Sequence, residues 1–311
     1  MIRYLKHNEI DFIKWDFCIS NAVNAYVYAY SWYLNLMAER WDALIEDDYI
    51  SVFPLPCKSK FGIQYIFQPP FVQQLGLFSQ TKISPELLNQ FVREIPEKFS
   101  WIDINLNKFI IPGHLIQNIR NRTNIELNLQ RDYTEIYKAY SDNVKRNIKK
   151  AQKSGLQYFD GVNPQELIQL FSVNKGNNAS FFTGKDYSKL NHLLHTLIHK
   201  NILIIRGIYS TENNLIAAAA FLNSNQRLIF LFSGLSDEGK NVGAMHFLIN
   251  SIIKENSSQS LTLDFEGSDD ENLCRFYQSF GASKFEYYTL QMNRLNLILK
   301  PIFAIYQKLK I

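Results

Sequence analysis

Leu261-Thr262-Leu263-Asp264-Phe265-Glu266-Gly267-Ser268, followed shortly by Leu273-Cys274-Arg275-Phe276-Tyr277-Gln278-Ser279-Phe280-Gly281-Ala282, decides how the rest of the chain is read. In the first half Leu261, Leu263 and Phe265 alternate with Thr262, Asp264 and Glu266, the period of a strand with one apolar face. Asp264 and Glu266 therefore point to the face opposite Leu263 and Phe265. Gly267-Ser268 ends the strand, and Ser268 or Asp269 supplies a cap for a helix. On that helix Leu273, Phe276, Tyr277 and Phe280 recur at helical spacing, and Gly281 supplies the stop.

Working outward, the second half reads as a strand at 123–129, helices at 142–153, 163–172 and 187–199, and strands at 202–209, 215–222 and 227–233. Asn213-Asn214 and Ser224-Asn225 supply the turns of this meander. A helix at 241–255, the strand and helix already described, and a strand at 284–292 complete it. The first half reads as a helix at 8–19, strands at 49–56 and 61–67, a helix at 84–98 opened by Ser84-Pro85, and a strand from Trp101 to Leu106. The run through Tyr26, Tyr28, Tyr30, Trp32 and Tyr33 is either loop and helix packed on a core or the aromatic wall of a cleft. Pro54 and Pro56 mark their strand as an edge or as ending early. Pro69-Pro70 takes the chain out of the sheet, and Gln73 and Gln74 beyond it are candidates to line a substrate cleft.

A strand, a short turn and a helix that carries an aromatic pair and ends in Phe-Gly resembles the last block of the GNAT acyltransferase superfamily. The wording DFEGS…FYQSFGA is more similar to the Fem-type peptidyl and aminoacyl transferases of peptidoglycan synthesis and their uncharacterised relatives. The order helix, three-stranded meander, helix, strand, helix, strand is the GNAT order. The resemblance implies an α/β protein of two tandem GNAT-like domains, 1–122 and 123–311, with mixed, mostly antiparallel sheets flanked by helices. The long helical hairpin inserted in some Fem-type members has no counterpart, because no heptad run of that length exists.

Composition agrees with a packed protein: 46% hydrophobic, 20% charged and 14% aromatic in 311 residues. The net charge of +4 is too mild to argue by itself for nucleic acid, but it is unevenly placed. Residues 1–122 hold 12 basic and 12 acidic side chains, and the remaining 21 and 17 follow, so an anionic partner is expected to meet the second half. Cys18, Cys57 and Cys274 are scattered, with no metal-ligand spacing, and no metal is expected. The simplest compartment is a reducing cytoplasm, since the acidic N-terminus lacks a signal peptide's apolar core and no apolar window could span a membrane. His192, His195 and His199 share a helix but gain no carboxylate or cysteine in sequence, so they are expected to face solvent or core. There is no Gly-x-Ser-x-Gly elbow, Walker loop or dinucleotide Gly-x-Gly-x-x-Gly.

Three places carry candidate chemistry. On the 142–153 helix Val144, Ile148 and Ala151 cluster on one side, and Lys145, Arg146, Lys149, Lys150 and Lys153 fill the opposite arc. That arc is either a solvated face or a phosphate-docking site for a nucleotide-linked precursor, a lipid-linked pyrophosphate or tRNA; a similar basic helix in Fem-type relatives favours docking through Lys145, Arg146 and Lys149. Lys240-Asn241-Val242-Gly243-Ala244 opens a helix where the superfamily holds the pyrophosphate of its acyl donor on backbone N–H groups. The usual pattern there is Gln or Arg, two residues, Gly, one residue, then Gly or Ala. Counted from Lys240, Gly243 fits but Met245 replaces the last small residue, so the donor is left open between acyl-CoA and aminoacyl-tRNA. Tyr277 falls where many GNAT enzymes keep a general-acid tyrosine, with Asp264 and Glu266 as base or amine-orienting groups.

The resemblance implies an N-acyltransferase of the Fem-like group. It would move an aminoacyl or acyl unit onto an amine of an anionic cell-envelope precursor, with no cofactor beyond the donor. Two alternatives stand beside it: an acyl-CoA enzyme acting on a small amine metabolite, and a non-catalytic binding protein on the same fold. The apolar, basic tail Met292–Ile311, interrupted by Pro301, either packs on the first domain or lies on a membrane surface.

Overall fold

The structure is a computed structural model that describes residues 1–113, 116, 119–175, 184–267 and 270–295. The chain forms two compact units, one of Met1–Arg122 with the chain from Glu286 onward, the other Thr123–Phe285. The first cut falls between Arg122 and Thr123. The assignment of everything after 123 to the second domain needs correction, for a physical reason. The last strand, β13 (Ser283–Asn293), pairs antiparallel with the Trp101 strand of the first unit, Thr289 opposite Asn105 and Asn293 opposite Trp101.

In the first unit the elements run β1 (Ile2–Leu5), α1 (Phe12–Asn21), α2 (Ser31–Met37), β2 (Trp41–Glu46), β3 (Ser51–Lys60), β4 (Ile63–Ile66), β5 (Phe78–Ser79), α3 (Pro85–Arg93) and β6 (Phe99–Asn105). Strand order is β1-β2-β3-β4-β6-β13, with β5 on β3, all antiparallel except β4–β6. The prolines do not make β3 an edge. Cys57 N–H bonds Arg40 on the β2 side, whereas the Pro56 carbonyl accepts from Phe67 N–H on the other. Backbone groups alternate sides along a strand, so Pro54 and Pro56 turn their missing N–H away from β2. The tyrosine-rich run is core: Tyr26, Tyr28 and Tyr33 are fully buried with Trp15 and Trp41, and Trp15 Nε1 donates to Ala29 O at 2.8 Å.

The second unit holds β7 (Ile119–Asn128, entering it at Thr123), α4 (Tyr133–Lys138), α5 (Asp142–Lys153), β8 (Gln157–Asp160), α6 (Pro164–Lys175), α7 (Gly184–His199), β9 (Leu203–Tyr209), β10 (Leu215–Ser224), β11 (Arg227–Leu235), α8 (Asp237–Val242), α9 (Ala244–Asn256), β12 (Thr262–Asp264) and α10 (Glu271–Gln278). Its order is β7-β12-β11-β10-β9-β8, antiparallel except β11–β12. Val144 and Ile148 of α5 and Leu248, Ile249 and Ile252 of α9 pack with Ala217, Ala219, Phe221 and Leu228 of the sheet. On the alternate residues Phe171 of α6 meets Phe232 edge-on at 5.1 Å. Cover on both faces explains why residues 216–222 are apolar without alternation.

Candidate functional site

β11 and β12 share only three rungs, Arg227–Ile229 against Thr262–Asp264. β12 stops because the backbone turns: Phe265 N–H bonds Ile125 O at 3.0 Å and Glu266 takes a left-handed φ of 57°. β11 runs on to Leu235. The space beyond the last shared rung is closed by α8, the start of α9, and α10. It is a pocket of about 370 Å³ with Phe230, Leu235, Met245, Leu273 and Phe276 as apolar wall and Ser233, Lys240, His246 and Tyr277 as polar groups.

Two glycines bring the helices in. Gly243 ends α8 and begins α9 with φ +76°, and a Cβ there would stand 2.8 Å from the Asn147 carbonyl of α5. A Cβ on Gly239 would run into the Ile216 carbonyl of β10. No side chain caps α9, and Gly243, Met245 and His246 at its start, the positive end of the helix dipole, line the pocket. Of the five residues proposed for the donor, Lys240 and Gly243 line the pocket. Asn241 is exposed, Ala244 is buried in the core, and Val242 packs beside it. Lys240 Nζ is engaged with Asp237 at 2.7 Å.

Tyr277 is 7% exposed. Its ring stacks on Phe265 at 4.5 Å and meets Phe230 edge-on at 5.9 Å. Among the described residues its hydroxyl has no hydrogen-bond partner, and it faces a lined cavity. Burial, then the Glu266 carboxylate and Cys274, raise its pKa well above the usual tyrosine value, so it stays protonated at neutral pH.

Asp264 is not a free base. It is 1% exposed and accepts from Arg227 at 2.7 Å and 3.2 Å, from Asn124 at 3.1 Å and from Glu266 N–H at 3.0 Å. Arg227 also pairs with Glu126, itself bonded to Asn124 at 2.8 Å. Strand alternation alone cannot separate a projecting catalytic carboxylate from one that crosses to a buried arginine on the neighbouring strand. Glu266, half-buried, remains beside Tyr277.

The basic arc forms with one member fewer than expected. Arg146, Lys149, Lys150 and Lys153 surround a surface basin of about 460 Å³. Lys145 leaves them: its Nζ donates to Lys138 O at 3.2 Å and lies 5.8 Å over the Tyr137 ring. Gln74 cannot line a cleft in this structure, being fully buried, with Nε2 on Gln73 Oε1 and Oε1 accepting from Lys108 N–H at 2.8 Å each. Gln73, half-buried, has its carbonyl bound by Asn105. The Gln73 carbonyl and the Gln74 side chain hold the chain beyond Pro69-Pro70 to Asn105 at the end of β6 and to Lys108 just past it.

His246 was not anticipated from sequence. It is the third residue of α9, and its ring meets Phe276 at 5.1 Å, nearly perpendicular. Its Nε2 is buried without a partner among the described residues, and burial lowers its pKa to about 4. The only available signal was its place three residues after Gly243.

No family model matches the chain, and no curated protein matches it in sequence. Solved structures do match. A crystal structure titled FemX superposes with a TM-score of 0.67 over 97% of this chain and 99% of that one, at 12% identity. The fold is the Fem-like, GNAT-type fold. The same Fem-like fold recurs in a conserved protein of unknown function from Bacteroides thetaiotaomicron (TM-score 0.59, 12% identity, 94% and 100% covered) and in L-PGS from Bacillus licheniformis (0.54, 10%, 85% and 88%). Among the described residues no helix is long and apolar enough to cross a membrane. Residues 296–311 of the tail considered for membrane contact lie outside the described residues.

Proposed function

We propose that the chain is an N-acyltransferase of the Fem-like group that moves an aminoacyl or acyl unit from an activated ester onto an amine of an anionic cell-envelope precursor. The observation that carries this reading is the convergence, in one pocket of the second unit, of separated strands, an uncapped helix start and the Tyr277 hydroxyl. The neighbours titled FemX and L-PGS support a transferase.

In the reaction the acceptor nitrogen attacks the carbonyl carbon, a C–N bond forms and the bond to the leaving oxygen breaks. The nitrogen loses one proton and the leaving oxygen gains one from Tyr277, whose high pKa suits a basic leaving oxygen better than a thiolate. Glu266 orients the amine or takes its proton. No electrons change hands, so no cofactor is needed. The first N–H groups of α9 and Lys240 meet phosphate on the donor, and the Arg146, Lys149 and Lys150 basin meets the phosphates of donor or acceptor. Met245 fills space beside the helix start where a small residue would leave room, which favours aminoacyl-tRNA over acyl-CoA. A donor screen read by mass spectrometry, with aminoacyl-tRNAs and acyl-CoAs offered to amine acceptors, tests this. Transfer from aminoacyl-tRNA is expected. Transfer from acyl-CoA alone would establish the metabolite enzyme, and binding with no transfer from any donor would establish a binding protein.

A further inference from the structure

The histidines of α7 have no task in the transfer, since no residue of that helix lines the pocket beyond the β11–β12 pairing. They face water, one of the two placements expected of them. Leu190, Leu193, Leu194 and Leu197 turn the apolar side of α7 inward, and the opposite arc carries His192, His195 and His199, all exposed. Among the described residues none of the three rings makes a hydrogen bond or an ion pair; the only side-chain bond at these positions is Thr196 Oγ1 donating to the His192 carbonyl. We infer that His195 and His199 hold one divalent transition-metal ion of the zinc, nickel or copper class on the surface of α7.

Spacing selects the pair. Residues four apart on a helix stand about 6 Å apart along the axis with Cβ atoms about 5–6 Å apart, so each imidazole can turn one nitrogen onto a common ion. The same spacing lets one helix supply two histidines to zinc in metalloproteases. His192 and His195, three apart, offer a second pairing one turn earlier, but His192 and His199, about 10.5 Å apart along the axis, cannot share an ion. Two features favour the later turn. α7 ends at His199, where its last carbonyls set the negative end of the helix dipole beside a cation. Lys189 stands one turn before His192 and sets a positive charge beside the earlier pair. Lys200 follows His199 but is turned about 100° from it around the axis. Ligand type selects the ion: imidazole suits zinc, nickel and copper, whereas magnesium and calcium take oxygen. Among the described residues no group of three or more histidines, cysteines or carboxylates gathers to hold a metal, so water fills the other positions and the site stays open to exchange. Only neutral imidazole ligates, so acid releases the ion.

The test uses the untagged full chain at neutral pH. Zn²⁺ binding is measured by calorimetry, and Ni²⁺ is located by its broadening of the histidine ring signals in NMR. Zn²⁺ is expected to bind, and Ni²⁺ should broaden His195 and His199 most strongly. His195→Ala or His199→Ala should weaken Zn²⁺ at least about tenfold, and His192→Ala should change it by no more than about twofold. All three positions are exposed on a helix, so the variants should fold, which a thermal melt checks. Equal Zn²⁺ affinity in the parent and the His195→Ala/His199→Ala double variant would overturn the inference. So would a parent that binds no Zn²⁺. A loss in His192→Ala as large as in His199→Ala would overturn the choice of the last turn, and displacement of Zn²⁺ by a comparable concentration of Mg²⁺ would overturn the nitrogen-ligand class. None of these outcomes depends on the transfer reaction, so the inference and the proposed function fail separately.

Discussion

Tyr277 and Arg227 differ in kind. The tyrosine hydroxyl meets a cavity, while the arginine is consumed by Glu126 and Asp264. Tyr277→Phe keeps the ring stacked on Phe265 and removes only an oxygen without an internal partner, so its folding cost should stay within about 0.5 kcal/mol. If the hydroxyl protonates the leaving group, turnover should fall by ~10²–10⁴. A thermal melt and a rate from one preparation check both, and a variant turning over like the parent removes Tyr277 from the mechanism. Arg227→Leu should do the reverse. It strands two carboxylates that are 5% and 1% exposed, which typically costs about 3–5 kcal/mol. Urea unfolding would show it, and a parental midpoint would mean the cluster does not hold β7, β11 and β12 together.

At the scale of elements, α5 carries its chemistry on a solvated face. Arg146, Lys149 and Lys150 are exposed, so changing all three to Gln should leave the melting temperature nearly unchanged. Binding of tRNA should weaken, and the slope of log affinity against log salt should become shallower by up to about 3, one unit per lost contact. An unaltered slope would reduce the arc to a solvated face. The arc was legible because a 12-residue helix with Val144, Ile148 and Ala151 on one side leaves its cations nowhere else to go. So was the strand–turn–helix block around Asp264 and Tyr277, where period and caps agree. Lys145 was misplaced because its partner, the Lys138 carbonyl, comes from a short helix, α4, with too few residues to show a period. Residues 41–46 were missed as a strand for a related reason: all but the last are buried, so the segment does not alternate. Gln74 and Asp264 looked available because sequence shows a polar side chain but not the distant groups that satisfy it, 34 and 37 residues or more away.

For the whole molecule the question is which unit handles the donor. The open pocket at the end of the β11–β12 pairing and the basic basin both belong to Thr123–Phe285. The first unit buries its aromatic run and both cleft-candidate amides are held by its own chain, as expected of a scaffold. The division predicts where a reactive donor leaves its mark. The most direct measurement is photolabelling of the full chain with tRNA aminoacylated by a diazirine-bearing leucine, followed by peptide mapping. Label should fall on peptides containing Phe230–His246 and Leu273–Tyr277 and be competed away by unmodified leucyl-tRNA. Label confined to residues 1–122, or no competable label at all, would contradict the account.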